Sequence, residues 1–469
     1  MTATRDRADG YVEEIPYTFG HHPGLAPAHM AFALSLAGIE APTVRTACEL
    51  GFGQGVSLAI NAVASDVIWH GNDLLAAHVQ NIRGLTQGSG ARLTVSDETF
   101  AEYCSRRDLP RFDFIALHGV WSWVSAENRA HIVRFLRERL APGGVVYLGY
   151  NVSVGWRSMS PLRVSMMREV QRLRAAGASL EESILAACKM AASIDDPDLE
   201  VAVRFLRGKS VAYLAHELFN RDWQPMEFGA LARCLQEAGL EFAAEARPVD
   251  AFASLNFTLP QRAQLDGLDP IAREERKDLF LARKFRRDYF LRSDHGRHAV
   301  KTLTPAEREA RLRAQRIILV RSRAMRCDET EEDDLVIGAS AVRIDPGLVR
   351  QVRERLEERG VCTIGDLATP TIAFDALLEC IAGLVGRDDV ALVAPGSDRT
   401  AACKLLNDRL CELSRRHREL TVLASPVCGG GVDVGSQAMG RADLWNQGRR
   451  DDEMLGGLPR LRMLGVLAP

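Results

Sequence analysis

The chain has 469 residues, of which 46% are hydrophobic and 26% charged, with a formal net charge of −3. This length exceeds what one hydrophobic core serves and predicts two or three domains. The near-neutral charge excludes a global electrostatic attraction to nucleic acid, and no apolar run is long enough to span a membrane. The N-terminus lacks the apolar segment of a signal peptide, so we expect a cytoplasmic protein. Ten cysteines without a C-x-x-C pair predict reduced thiols and no metal site.

Short apolar runs alternate with helical patterns between residues 44 and 150, which predicts an α/β domain with a parallel sheet covered by helices. The predicted strands cover residues 44–50, 66–73, 91–97, 112–118 and 145–148. A helix over 129–140 is predicted to end at the turn Ala141-Pro142-Gly143-Gly144, before the fifth strand.

After Trp156 the pattern is mostly helical, with one edge strand predicted at 241–246. From residue 344 onward, three helices and a hairpin turn at 386–389 predict a small winged-helix unit. The glycine-rich stretch after residue 429 is weakly patterned, and we predict no structure for it. The predicted boundaries are 1–160 for the α/β domain, 161–302 for a mostly helical middle domain, 303–430 for the C-terminal helical unit and 431–469 for a tail.

A glycine-rich loop follows the first predicted strand and precedes a helix. Its pattern is Glu49-x-Gly51-x-Gly53-x-Gly55. Glycine lets bare backbone approach a ligand, and the spacing differs from the G-x-G-x-x-G that seats a pyrophosphate. A carboxylate two residues before the first glycine would repel a pyrophosphate but suits a ligand that carries an amino acid and a sulfonium. The loop therefore predicts binding of S-adenosyl-L-methionine (SAM) in a Rossmann-like methyltransferase domain.

Acidic residues stand at the ends of the next two strands, where a parallel sheet binds its ligands. Asp73 is predicted to accept the ribose hydroxyls, and Asp97 a hydrogen bond from the adenine amino group. Glu49, beneath the glycine loop, is predicted to organise the methionine end of SAM. These three acids together with the loop make a stronger prediction than any one of them.

A second cluster, predicted to face the reactive methyl group, follows the fourth and fifth strands. His118 and Tyr150 are the candidate proton acceptors, and Trp121 or Trp123 would shield a cation from water. The alternative for either tryptophan is a place in the core. Tyr17 begins a segment that could fold over SAM as a lid, so Tyr17 and His118 are also predicted to contact it.

Several motifs resemble bacterial class I methyltransferases that carry a methyltransferase regulatory domain. They are Pro16-Tyr17-Thr18 with His22-Pro23, the glycine loop, 118–124, 140–144, Tyr150-Asn151, Gly155-Trp156, 213–217, Trp223-Gln224-Pro225 and 285–288. The match covers about residues 12–300, and the characterised relatives are lysine methyltransferases acting on bacterial outer-membrane proteins. The resemblance implies SAM as donor, S-adenosyl-L-homocysteine (AdoHcy) as product and a protein lysine as one acceptor.

Two other functions stay open at this point. One is methylation of a small molecule or an envelope precursor. The other is a transcriptional regulator that retains the fold and uses the winged helix and the arginines between 273 and 326 on DNA. Because the acidic run at 328–334 balances those arginines, nucleic acid is not an expected partner. The sequence leaves the oligomeric state open.

Overall fold

The computed structural model describes residues 10–293, 301–321, 335–337, 342–395, 398–447 and 458–467. Its central sheet has seven strands: β1 (Thr46–Leu50), β2 (Ile68–Asn72), β3 (Leu93–Ser96), β4 (Phe112–His118), β5 (Leu140–Asn151), β6 (Leu240–Glu245) and β7 (Phe285–Arg292). Their order is β3-β2-β1-β4-β5-β7-β6. The first five strands are parallel, whereas β7 is antiparallel to both β5 and β6. The order reverses between β1 and β4, which places a ligand crevice at their carboxyl ends.

Five helices accompany the parallel strands: α1 (Pro27–Leu36), α2 (Val56–Ala64), α3 (Ala76–Thr86), α4 (Phe100–Ser105) and α5 (Ala126–Arg139). All nine residues of α2 are buried. Its apolar side chains pack in one cluster with the sheet and with the C-terminal part of the chain. The predicted α/β architecture is confirmed. Helix α2, which follows the glycine loop, is packed between the sheet and the C-terminal part of the chain.

The predicted turn between α5 and the fifth strand is a bulge inside a longer strand. Phe112 pairs with Leu140, whereas Phe114 pairs with Val145, so β5 carries extra residues at this point. Gly143 has a φ of +70°, which only glycine adopts without strain. The glycines thus let the strand bulge and continue.

The middle region contains nine α-helices within residues 153–281, which the structure describes throughout. They are α6 (Ser153–Trp156), α7 (Met159–Ala175), α8 (Leu180–Ala192), α9 (Glu200–Leu206), α10 (Val211–Leu218), α11 (Phe228–Gln236), α12 (Ala253–Asn256), α13 (Leu259–Ala263) and α14 (Pro270–Leu281). β6 forms the sheet edge, close to the strand predicted at 241–246. β7, which the sequence prediction missed, lies between β5 and β6, so this region completes the sheet of the α/β domain.

The charged strand β7 is stabilised by a buried ion network around Arg286, whose side chain is 0% exposed. Its guanidinium donates to Asp288 (2.7 Å), Asp278 (2.9 Å) and Glu274 (2.8 Å). Tyr150 on β5 donates to the same Asp288 over 3.0 Å. Buried charges are tolerated when they are paired in this way, and the network fastens α14 to the sheet.

The C-terminal region surrounds a second, three-stranded antiparallel sheet. The elements in chain order are α15 (Pro305–Ala314), β8 (Arg316–Leu319), β9 (Val336–Ile337), β10 (Val342–Arg343), α16 (Pro346–Arg359), β11 (Val361–Thr363), α17 (Ile364–Leu367), α18 (Phe374–Gly386) and β12 (Val390–Leu392). The strand order is β11-β8-β12. The three predicted helices are present, but the central strand β8 precedes them in the chain.

A winged-helix unit is not confirmed for this region. Helix α18, which would be the DNA-reading helix, has Leu377, Leu378, Ile381 and Leu384 fully buried. A helix that enters a DNA groove must present an exposed face, and most of α18 is committed to the core. Helix α18 therefore cannot serve as the DNA-recognition helix that the regulator hypothesis requires. The acidic run 328–334 lies outside the described residues.

The stretch after residue 429, whose weak sequence pattern gave no structural prediction, contains helices and a strand where the structure describes it. The remaining elements are α19 (Thr400–Ser414), β13 (Val422–Ser425), β14 (Gly430–Asp433), α20 (Gly435–Asn446) and α21 (Leu458–Met463). β13 and β14 form a hairpin that packs with α19 against α2. Asn407 on α19 bonds the backbone of both Ala424 and Val466, which ties the end of the chain to this layer.

Within the described residues, no helix is long and apolar enough to cross a membrane. The same residues contain no cluster of three or more histidine, cysteine or acidic side chains with the arrangement of a metal site.

Candidate active site

A cavity lies at the carboxyl ends of β1, β2 and β4. Seven of the predicted site residues line it: Tyr17, Glu49, Gly51, Gly53, Gly55, Asp73 and His118. The structure does not bring Asp97, Trp121 or Tyr150 into its lining. The N-terminal segment 10–22, which we call the N-terminal strap, covers one side and contributes Tyr11, Tyr17, Thr18, Gly20 and His22.

The glycine loop adopts a backbone that side chains would prevent. Gly51, Gly53 and Gly55 have φ values of +66°, +58° and +75°. A Cβ at Gly51 would stand 2.5 Å from Val120, and one at Gly55 would stand 2.9 Å from Ile82. Because Gly55 has no Cβ, α2 and α3 can approach each other closely at Ile82. The loop is therefore open to a ligand on one side and closely packed on the other.

Asp73 joins the glycine loop to the end of β2. Its Oδ2 accepts from the Gly53 amide (2.7 Å), while its Oδ1 accepts from the Leu75 amide (3.0 Å) and His78 Nδ1 (2.9 Å). A carboxylate offers about four acceptor positions, so room remains for a ligand hydroxyl. Three bonds hold the Asp73 carboxylate at the position where a ribose would meet the loop.

Glu49 is a buried acid at the floor of the cavity. It is 3% exposed, and its Oε2 has no hydrogen-bond partner among the described residues. Burial, with a smaller contribution from Asp73, raises the pKa of Glu49 to about 8. An orphaned carboxylate oxygen of this kind fits a cationic ligand group, because an ammonium would both pair with it and restore its ionised form.

The end of β3 contributes a neighbour of the predicted residue. Asp97 is half-buried beside the cavity, whereas the next three residues, Glu98, Thr99 and Phe100, line it. Glu98 accepts from Ser96 (2.6 Å) and from Arg106 (3.0 Å), which orients its carboxylate. The sequence pattern located this strand end correctly, but it does not determine which side chain turns inward.

His118 at the end of β4 belongs to a stacked aromatic group. Its ring centroid lies 3.5 Å from that of His22 in the N-terminal strap, with the planes 20° apart. A hydrogen bond of 2.8 Å joins His118 Nδ1 and the Tyr147 hydroxyl. Burial lowers the pKa of His118 well below its ordinary value and that of His22 to about 3, so both rings are neutral at pH 7. When Nδ1–H donates to Tyr147, Nε2 keeps a lone pair that can accept a proton.

The structure corrects the assignments of Trp121 and Tyr150. Both side chains are fully buried in the core on the α5 side of the sheet. Trp121 donates to Met226 Sδ (3.1 Å), and Tyr150 donates to Asp288. Successive strand residues face opposite sides, so Tyr147, three positions before Tyr150, points to the His118 side instead.

Trp123, one of the two tryptophans predicted to face the methyl group, lines the cavity, and its Nε1 is buried with no hydrogen-bond partner among the described residues. Sequence reasoning missed two other residues at the cavity. Tyr11 lines it from the N-terminal strap, and Tyr147 supports His118. The alternation of β5 could have found Tyr147, because it places residues 147 and 149 on one face. Nothing in the sequence distinguishes Tyr11 from other residues near the start of the chain.

Comparison with known proteins adds a family and a fold. Residues 210–292 match a family described as a predicted methyltransferase regulatory domain. An uncharacterised protein of Synechocystis sp. is 29% identical over 457 residues, covering 91% of this chain and 85% of that protein. An uncharacterised protein of Rickettsia prowazekii is 28% identical over 184 residues, covering 37% of this chain and 70% of that protein.

A solved structure of PKMT2 from Rickettsia typhi in complex with AdoHcy matches with a TM-score of 0.66 at 14% sequence identity. The match covers 95% of this chain and 91% of that chain. A second structure of PKMT2 from the same organism matches with a TM-score of 0.65 at 15% identity. This match covers 97% of this chain and 92% of that chain. The chain thus has the class I SAM-dependent methyltransferase fold and contains a methyltransferase regulatory domain, as the sequence resemblance implied.

Proposed function

We propose that this chain is a SAM-dependent methyltransferase whose acceptor is a protein lysine. The observation that carries the proposal is the buried Glu49 carboxylate, whose Oε2 has no partner among the described residues, beside the glycine loop and Asp73. These groups match the charges and donors of SAM, namely an ammonium, two ribose hydroxyls and a sulfonium. The fold shared with PKMT2, a rickettsial protein lysine methyltransferase, supports the same class of acceptor.

SAM supplies a methyl group already activated by its sulfonium. The chain's own residues have three tasks: to hold the donor, to align the acceptor and to exclude water. Glu49 and Asp73 hold polar groups of the donor, while the glycine loop lets its backbone amides approach. Trp123 and the strap residue Tyr17 give the cavity aromatic walls, which favour a cation and exclude water.

A lysine acceptor must lose its proton before it can attack. The neutral His118 is the proton acceptor in this proposal, because it lines the cavity at the end of β4. Its hydrogen bond to Tyr147 fixes the orientation of the ring. The ring of His22 stacks on His118 with the centroids 3.5 Å apart and covers one face of the imidazole.

The test uses the full-length chain with SAM that carries a labelled methyl group. Protein and small-molecule fractions of a bacterial extract serve as separate acceptors, and mass spectrometry of digested peptides locates the label. We expect label on lysine side chains of proteins. An Asp73→Ala variant, which loses the contact to the glycine loop, serves as the control and should transfer no label.

The two fractions also separate the competing acceptors. Label found only in small molecules would reject the lysine acceptor and keep the methyltransferase. Label in neither fraction, together with a folded chain that binds no SAM, would reject both parts of the proposal.

A further inference from the structure

The regulatory region holds the N-terminal strap through the end of α10. The Val12 amide donates to Asn220 Oδ1 (2.9 Å), and the Arg221 amide donates to the Gly10 carbonyl (2.9 Å). The strap in turn supplies Tyr11 and Tyr17 to the cavity. Two side chains of the cofactor site are therefore positioned by residues that lie within the matched regulatory domain.

His216 is the central residue of this contact. It is fully buried, and its Nε2–H donates to the Ile15 carbonyl over 2.7 Å. Its ring lies 5.3 Å from that of Tyr11 and 5.0 Å edge-on from that of Tyr17. One hydrogen bond and two ring contacts thus fix the part of the strap that reaches the cavity.

His78, the partner of Asp73, shares one feature with His216. His78 is 2% exposed and donates its Nδ1–H to Asp73, which leaves Nε2 without a partner among the described residues. His216 Nδ1 is likewise buried and has no partner among these residues. Each of these imidazole nitrogens is suited to a donor such as a buried water.

We infer that His216 is a positioning residue through which the regulatory domain controls binding of SAM. It acts by holding the N-terminal strap against the cavity. Because the strap forms one wall of the cavity, SAM affinity and docking of the strap on α10 are linked, and each stabilises the other. This inference rests on the proposed function, since it takes SAM to be the ligand of the cavity.

The test compares the full-length wild type with His216→Phe and His216→Gln by calorimetric titration with SAM. Phenylalanine keeps a ring against Tyr11 and Tyr17 but cannot donate to Ile15, so we expect about tenfold weaker binding, or about 1.4 kcal/mol. The loss should come from faster dissociation of SAM, because the strap opens more often. Glutamine carries an N–H donor at the position of Nε2 and should recover most of the affinity.

Two matched controls separate positioning from general stability. Arg174→Ala breaks the exposed pair that Arg174 makes with Glu14 of the same strap over 2.8 Å, and exposed pairs contribute little. His131→Phe replaces a histidine on α5, away from the cavity. Both variants should bind SAM like the wild type. Equal affinity in His216→Phe and the wild type would overturn the inference, as would the same loss in His216→Gln.

Hydrogen exchange of the wild type gives a second test that needs no variant. SAM should slow amide exchange in the strap, residues 10–22, and in residues 211–221 together. Protection of the strap without protection of α10 would overturn the inference while leaving the proposed function intact. A wild type that binds no SAM would overturn both, and the titration reports that result separately.

Discussion

The cofactor cavity and the Arg286 network are both buried and polar, yet their hydrogen bonding is opposite. In the cavity, Glu49 Oε2, Asn72 Oδ1 and Trp123 Nε1 have no partner among the described residues. In the network, all three guanidinium nitrogens of Arg286 are bonded to carboxylates. Of the groups around Arg286, Asp278 keeps one unpartnered oxygen.

This difference teaches how to distinguish a binding site from a structural cluster. Leaving a buried polar group without a partner costs about 1–3 kcal/mol, so such groups persist where a ligand completes them. A network whose members satisfy one another holds elements together and offers nothing to a ligand. Substitutions in the cavity are therefore expected to change SAM affinity, and substitutions in the network are expected to change the free energy of unfolding.

The largest effect is expected in the network. Arg286→Met removes the partner of Asp288, Asp278 and Glu274, and an uncompensated buried charge costs about 3–5 kcal/mol. Chemical denaturation should report a fall of that size in the free energy of unfolding. Arg204→Ala, which breaks an exposed pair with Glu200, is the control and should change it little. Similar free energies of unfolding for the two variants would contradict a structural role for the network.

The next effect belongs to the cavity. Gly53→Leu places a side chain at a φ of +58° beside Tyr17, and SAM should bind more than about 100-fold more weakly, which corresponds to about 2.7 kcal/mol. Gly143→Leu carries the same kind of strain, at a φ of +70° with no atoms near its Cβ, but outside the cavity. It should lower stability by about 1–2 kcal/mol and bind SAM normally. Normal SAM binding by folded Gly53→Leu would contradict the loop assignment.

Tyr147 and Tyr150 lie on the same strand, β5, but Tyr147 contacts His118 at the cavity, whereas Tyr150 contacts Asp288 in the Arg286 network. His118→Phe should slow single-turnover methyl transfer about 100-fold, within the range of general base catalysis, and Tyr147→Phe should slow it less. Tyr150→Phe, whose hydroxyl donates to Asp288, should lower stability and leave the transfer rate unchanged. If Tyr150→Phe slows transfer and His118→Phe does not, the proton acceptor has been assigned to the wrong face.

The smallest effect is a pH dependence of the ligand-free chain. Burial raises the pKa of Glu49 to about 8, so the unfolded chain releases this proton at lower pH than the folded chain does. The Glu49 contribution to stability therefore falls as pH rises from about 4.5 to about 8. Glu49→Gln should abolish this part of the slope, so the variant should become more stable relative to the wild type as pH rises from about 5 to about 8. Parallel unfolding curves for both proteins across this range would show that Glu49 is not held neutral.

The parallel half of the sheet was predictable because its information is local. The glycine spacing and the acid at the end of β2 identify the cavity, and β4 matches the predicted strand residue for residue. The same local reasoning failed at Tyr150 and Trp121, because the side that a residue faces depends on the strand register and on how its neighbours pack.

The antiparallel half could not be predicted from local pattern. β7 reads Phe-Arg-Arg-Asp-Tyr-Phe-Leu-Arg, with charged residues among its apolar ones. Arg286 is buried because α14 supplies carboxylates to it, and Asp288 because it accepts from Arg286 and from Tyr150 on β5. The hairpin of β13 and β14 is likewise hidden in sequence, because its glycines weaken the strand pattern and its burial comes from α2 and α19. In both regions, contacts with distant parts of the chain determine where the strands form.

Calorimetric titration of the full-length chain with SAM and AdoHcy shows whether the cavity binds this cofactor. We expect binding of both ligands, strongly weakened by Asp73→Ala. Asp97→Ala, whose side chain does not line the cavity, should weaken it little. A folded wild type that binds neither ligand would contradict the cofactor assignment and leave a chain that keeps the methyltransferase fold without its cofactor.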